Sequence, residues 1–161
     1  MRGVGPSLHL SRVLGLVGGL GLLAAFYMPW FSSQGLLLSG QFLHTFLTSA
    51  SAADLRRFLP SSSPSEVQWL RVLVDLFPVC GALAAVAALV GGLSTRATHV
   101  LNLLLAASGL VPLLAWAGGT TRLPPGSSPE SGLWLISVGS IAVLVSALLE
   151  FLAGRRAGSR S

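Results

Sequence analysis

Apolar residues along this chain gather into four long runs, separated by stretches rich in polar residues, Pro and Gly. Val13 to Phe31 contains no charge. Val72 to Leu93 has Asp75 near its start, Ala97 to Ala117 is again uncharged, and Leu133 to Ala153 carries Glu150 near its end. A helix needs about 20 mostly apolar residues to cross a bilayer's hydrocarbon core, so each run predicts a transmembrane helix. The expected fold is all-α: one integral membrane domain, residues 1–161, built as a four-helix bundle with outer loops at 32–71 and 118–132. The first run can also be read as a signal peptide, since Arg2 and Arg12 precede it and Ala24 and Ala25 lie near its end. It continues through Phe26, Tyr27 and Met28 to Trp30, longer than a usual signal-peptide core. Tyr27 and Trp30 also suit a headgroup boundary, and a retained helix is preferred.

The segments between the runs carry their own signals. Ser63-Pro64-Ser65-Glu66 reads as a capping box with Pro at the first helical position, so the second helix is expected to begin near Pro64, ahead of the membrane. Ser128-Pro129-Glu130 suggests a similar start for the fourth, with the acid favouring the helix dipole. Pro78 and Pro112 fall inside the second and third helices, where each removes one backbone hydrogen bond. Within the first outer loop, Phe42, Leu43, Phe46 and Leu47 form an apolar face at helical spacing, and Ser51 can cap a second short helix from Asp54 to Leu59. These predict short amphipathic helices lying on the membrane surface. The second outer loop, Gly118 to Gly132, is expected to be irregular, and Ser94 to Arg96 a tight inner turn.

Composition agrees with the pattern. Hydrophobic residues make up 52% of the chain and charged residues 9%, against roughly 25% charged in a globular domain. The net charge of +5 comes wholly from Arg. A nucleic-acid surface would cluster its cations in a patch, whereas these sit at the ends of apolar runs, and no nucleic-acid partner is expected. With the N-terminus inside, the short inner segments hold Arg2, Arg12, Arg96, Arg155, Arg156 and Arg160, while the longer outer loops hold Arg56, Arg57, Arg71 and Arg122. That density favours an N-in, C-in topology. Abundant Ala, Gly, Leu and Arg without Lys hint at a GC-rich bacterial genome, hence a cell (plasma or inner) membrane. Cys80, the single cysteine, allows no internal disulfide and reads as a small buried hydrophobe.

Candidate chemistry is sparse. Glu150 has no cation on its own helical face, since its i−4 and i+4 neighbours are Ser146 and Gly154. Arg96, His99 and Asn102 lie at the same expected depth on the third helix. An intramembrane polar cluster of Glu150, Arg96, His99 and Asn102 is therefore expected to lock the inner end of the bundle, with a proton or cation site as the alternative. Asp75 follows Arg71 by one turn, and a screened interface pair is expected there. His9, His44 and His99 do not cluster as a zinc site requires. No catalytic residue, metal or cofactor is expected, because no nucleophile, base and acid converge.

The strongest pattern is one of small residues: Gly15 and Gly19 on the first helix, and Gly81, Ala85, Ala88 and Gly92 on the second. Lipid is as apolar as Leu, so helices in a membrane associate through close packing, which small residues permit. Internal packing or contact with another protein would each account for the stripes. Met28-Pro29-Trp30 followed by Ser39-Gly40 resembles small, largely uncharacterised bacterial tetraspan membrane proteins, which end their first helix in Pro-Trp and carry Ser-Gly shortly after. That resemblance implies membrane location and four helices, without an activity. The loop layout, long then short, resembles that of claudin-type tetraspans, whose paired loop cysteines are absent here. The functional expectation is a non-enzymatic accessory or scaffold subunit, with the lipid bilayer and a membrane-protein partner or a second copy as its partners. The alternative is a small transporter or channel that uses Glu150.

Overall fold

The computed structural model describes residues 6–33, 35–58, 63–90, 98–120 and 127–158, without the side chains of 6–8, 58, 98–99, 119–120 and 154–158. Among the described residues, the elements run α1 (Pro6–Tyr27), β1 (Pro29–Ser33), β2 (Leu36–Ser39), α2 (Gly40–Ser49), α3 (Ala52–Phe58), α4 (Pro64–Val90), α5 (Thr98–Thr120), β3 (Ser128–Pro129) and α6 (Ser131–Gly158). The protein is mostly helical, and α1, α4, α5 and α6 are each long and apolar enough to cross a membrane. They pack in a ring of order α1–α4–α5–α6, with α1 seated most extensively on α6 and α4. As α1 advances from Gly15 to Gly19, its neighbours on α4 recede from Ala88 to Ala85 and Gly81. These two helices are therefore antiparallel. The α1–α6 seam behaves likewise, from Gly15 beside Ser146 to Gly21 beside Leu135. One end of the bundle thus holds the start of α1 and the end of α6, called here the termini end. The opposite end, the loop end, carries the short elements.

Packing is inside-out relative to a water-soluble bundle. The seams are filled by Ala84, Ala87 and Ala88 with Leu22, Leu105, Ile136 and Val143, and Ser11, Ser108, Ser140 and Ser146 are also buried. Large apolar side chains face outward: Leu103 is 71% exposed, Val100 63% and Leu114 62%. Water would penalise such a surface, whereas hydrocarbon accepts it and leaves close packing to hold the helices.

Several boundaries differ from the sequence expectation, each for a local reason. The first helix was expected to run to Phe31 and ends at Tyr27. Pro29 lacks an N–H and disfavours helical backbone in the residue before it, so the chain leaves the helix and enters β1. The fourth helix starts at Ser131 rather than at Ser128-Pro129, which instead forms β3. The capping box at α4 is formed as expected. The Ser63 N–H donates to Glu66 Oε2 at 2.6 Å, and the Glu66 N–H donates to Ser63 Oγ at 3.3 Å. The Ser51 cap is also formed, with Asp54 N–H donating to Ser51 Oγ at 3.2 Å. Pro78 lies within α4 and Pro112 within α5. The expected turn at Ser94 to Arg96 lies outside the described residues.

The largest departure from an all-helical reading is a small antiparallel sheet at the loop end, in the order β2–β1–β3. Phe31 faces Leu38 on one side and Pro129 on the other, and Ser32 lies between Leu37 and Ser128. Gly35, at φ +80°, makes the turn between β1 and β2 in a region that favours glycine. The sheet joins the two outer loops: Ser32 Oγ and Ser128 Oγ are 2.7 Å apart, and the Glu130 N–H donates to the Trp30 carbonyl at 2.9 Å. The short helices occur where the sequence places them. However, α2 turns Leu43 and Leu47 into the core that contains Val74 and Phe77, so its apolar face is seated on the bundle.

Candidate functional site

Two constellations of side chains sit at opposite ends of the bundle. At the loop end the centre is Trp30, the second residue of β1. Its indole N–H donates to the Ala25 carbonyl at 2.7 Å, an oxygen that also accepts the Met28 N–H at 3.2 Å. Its ring meets Phe77 of α4 edge-on, with centroids 4.9 Å apart. Two glycines allow the approach. A Cβ at Gly40 would lie 2.5 Å from the Trp30 ring and 2.9 Å from Phe26, and one at Gly132 would lie 2.6 Å from the Pro29 carbonyl oxygen and 2.8 Å from the ring. Ser39, beside Gly40, caps α2 by accepting the Phe42 N–H at 3.1 Å. The Pro-Trp and Ser-Gly pairs, separate in sequence, are thus one packing unit. Sequence reasoning missed Gly132 as its third member, because it lies beyond two further transmembrane helices.

Nearby, His44 Nδ1 of α2 lies 2.5 Å from Asp75 Oδ1 of α4, at a half-exposed site. This corrects the expected Arg71–Asp75 pair. Asp75 takes its partner from another helix, 31 residues away in sequence, where helical spacing gives no signal.

At the termini end the centre is Glu150, buried at 8% exposure. Ser11 Oγ of α1 donates to Glu150 Oε1 at a long 3.5 Å, and Ser146 Oγ of α6 donates to the Ser11 carbonyl at 2.6 Å. Arg12 follows Ser11 on α1, and its Nε is buried. Glu150 therefore faces α1. Of the residues expected beside it, Arg96 lies outside the described residues and the side chain of His99 is likewise not described. Asn102 lines a groove between α5 and α6 with Leu103, Ala106 and Phe151. Sequence reasoning counted Arg12 only as a topology-setting cation and did not assign Ser11. Its position near the start of an apolar run, at the depth of Glu150 in an antiparallel neighbour, was the available clue.

The small-residue stripes lie in the seams of the chain's own bundle. A Cβ on Gly19 would come within 2.7 Å of both the Ala85 nitrogen and the Gly81 oxygen, and one on Gly15 within 3.0 Å of the Ala88 Cβ. Gly81 in turn faces Gly19 and Leu22. Gly92 lies outside the described residues. Gly18 lies on the other seam, where a Cβ would come 2.7 Å from the Gly139 carbonyl oxygen.

Among the described residues no three His, Cys, Asp or Glu side chains come together as a metal site would require. No family model, curated protein or solved structure matches this chain.

Proposed function

We propose that this chain is a non-enzymatic accessory or scaffold subunit of a bacterial cell (plasma or inner) membrane, with both termini inside and the sheet outside. The observation that carries the reading is the apolar rim at the loop end. Strand β2 lies at the edge of the sheet, with Leu36 65% and Leu37 61% exposed, and Phe42 of α2 stacks on Phe46 close by. An edge strand offers unpaired backbone groups to another extended segment, and apolar side chains along it add affinity. The rim is held on a layer that Trp30 fixes to the bundle, so it is presented rigidly. The glycine stripes add nothing to this reading, since internal packing accounts for them, and the partner face belongs at the rim.

The test is a photo-activatable cross-linker placed at Leu37 in native membranes. The expected result is an adduct of defined mass, which disappears in the double variant Leu36→Ser, Leu37→Ser. A second reading, a small transporter or channel, draws on the burial of Glu150 and its long hydrogen bond from Ser11; loss of flux in Glu150→Gln with normal assembly would select it. Topology is tested by labelling Ser62→Cys and Ser159→Cys from outside, where only position 62 is expected to react. Cys80 is buried and does not confuse that readout.

A further inference from the structure

Aromatic side chains of α1, α5 and α6 gather at one level of the loop end. Tyr27, the last residue of α1, is 65% exposed, and Trp134, in the first turn of α6, is 57% exposed. The half-buried Trp116 of α5 lies beside Trp134, with ring centroids 6.4 Å apart. The α1–α6 seam places Tyr27 at the same height. A Cβ on Gly132 would meet the carbonyl oxygens of both Met28 and Pro29, and Trp134 follows Gly132 about 3 Å further down the bundle by helical rise. On α4 that height falls between Asp75 and Phe77: the His44 ring, packed on Phe26, meets Asp75, and Trp30 meets Phe77. Trp30 itself, read from the sequence as a boundary residue, is buried and takes no part in the belt.

The surface changes character across this level. Towards the termini end, every exposed residue from Leu10 to Ala24 on α1, Val79 to Val90 on α4, Val100 to Leu114 on α5 and Val138 to Leu152 on α6 is apolar, among the described residues. By helical rise this band is about 26 Å deep from Leu10 to Tyr27 and about 27 Å deep from Trp134 to Leu152, close to the ~30 Å of bilayer hydrocarbon. On the other side of the level, α4 exposes Ser65, Glu66, Gln68 and Arg71. Helix α4 as a whole spans about 40 Å, longer than the hydrocarbon requires, and the belt decides which part lies within it. Indole and phenol rings join an apolar body to a polar N–H or O–H, so they settle where hydrocarbon meets headgroups.

We propose that the edge of the bilayer hydrocarbon crosses the protein at this belt, with Tyr27 and Trp134 in contact with the ester and headgroup layer of the lipid. The turns of α4 from Pro64 to Val74 then stand outside the hydrocarbon. Exposed Val72 and Leu73 lie within the headgroup layer, which adds roughly 5–8 Å on each side. Trp69, about 9 Å beyond Asp75 by helical rise, marks the outer edge of that layer. The half-exposed His44–Asp75 pair sits at the boundary itself, where polar side chains still meet headgroups. The belt rests on the membrane reading of the four helices. It is independent of the partner proposed at the rim and of which side of the membrane the loop end faces.

The experiment places the whole chain in phosphatidylcholine vesicles and reads depth in two ways. Nitroxide labels on Gln68→Cys, Val79→Cys and Val138→Cys, one at a time, report collisions with dissolved oxygen and with a water-soluble nickel chelate. Cys80 is buried and stays unlabelled. Val79 and Val138 should collide with oxygen and escape nickel, at depths equal to within about one helical turn. Gln68 should meet nickel, about 16 Å away from Val79 along the membrane normal. Phosphatidylcholine brominated near the ester end of its acyl chains should quench tryptophan emission more than lipid brominated near the chain ends. That preference should fall in Trp134→Phe and persist in Trp69→Phe. A Gln68 label as deep as Val79 would overturn the belt alone, by moving the boundary to the start of α4. Stronger quenching by the deep bromines, or a preference that Trp134→Phe leaves unchanged, would also overturn it. Nickel access at all three sites would remove both the belt and the membrane reading beneath it.

Discussion

The two ends of this bundle pair their polar groups to different degrees. At the loop end, the indole N–H of Trp30 has its acceptor, His44 and Asp75 face one another, and Ser63 and Glu66 satisfy each other's backbone, while the indole nitrogen of Trp116, beside Trp134, is buried with no hydrogen bond among the described residues. At the termini end, Glu150 has a long bond from Ser11, while Arg12 Nε and Asn102 Oδ1 are buried without hydrogen-bond partners among the described residues. A fully paired network rigidifies, whereas a partly paired one leaves interactions open for something else to complete. The loop end is accordingly a fixed platform, and the termini end is where substitutions should be tolerated and ligands accommodated.

That contrast predicts a graded response. Trp30→Ala should be the most damaging change, at about 3–5 kcal/mol, the usual range for emptying a large aromatic site. Amide exchange in β1 and β2 should accelerate, because the sheet loses its anchor to α4. Gly40→Ala should cost about 1–3 kcal/mol as an overpacking change, read as a lower unfolding midpoint in detergent, since the new methyl group meets the rigid Trp30 ring. Ser63→Ala should cost about 1 kcal/mol, typical of a lost N-cap, and fray only the first turn of α4. Glu150→Gln should be the mildest at below about 1 kcal/mol, since its amide oxygen can still accept the weak Ser11 bond. If Glu150→Gln proved as damaging as Trp30→Ala, the comparison between the ends would be wrong.

The four long helices were legible because runs of about twenty apolar residues, with at most one charge in each, allow little else. The capping box at Ser63 was legible because both partners lie within one turn. The sheet was not, although signals for it existed. Pro29 stops the helix, Trp30 and Phe31 favour extended backbone, and Gly35 supplies a turn before Leu36 to Leu38. Periodicity over so few residues is weak evidence, and the pairing of β1 with β3 joins segments almost a hundred residues apart. The same distance hid Gly132 from Trp30 and Ser11 from Glu150. What could be read was local or compositional, and what was missed depended on which helices the bundle makes neighbours. The glycine stripes show this most clearly: their spacing announced close helix contacts, but the ring order was needed to show that Gly19 meets Gly81 and Ala85 within the chain.

The central functional claim is that the fixed loop end serves another protein. The most direct test is the native mass of the wild-type chain extracted from its own membrane in mild detergent, with co-purifying proteins identified and quantified in the same sample. The account predicts a defined complex with a second membrane protein at constant stoichiometry, reduced to the 16.6 kDa chain in the Leu36→Ser, Leu37→Ser variant. A wild-type preparation that contains only this chain, as monomer or homo-oligomer, would contradict the accessory-subunit reading and turn attention to flux through the bundle and to Glu150.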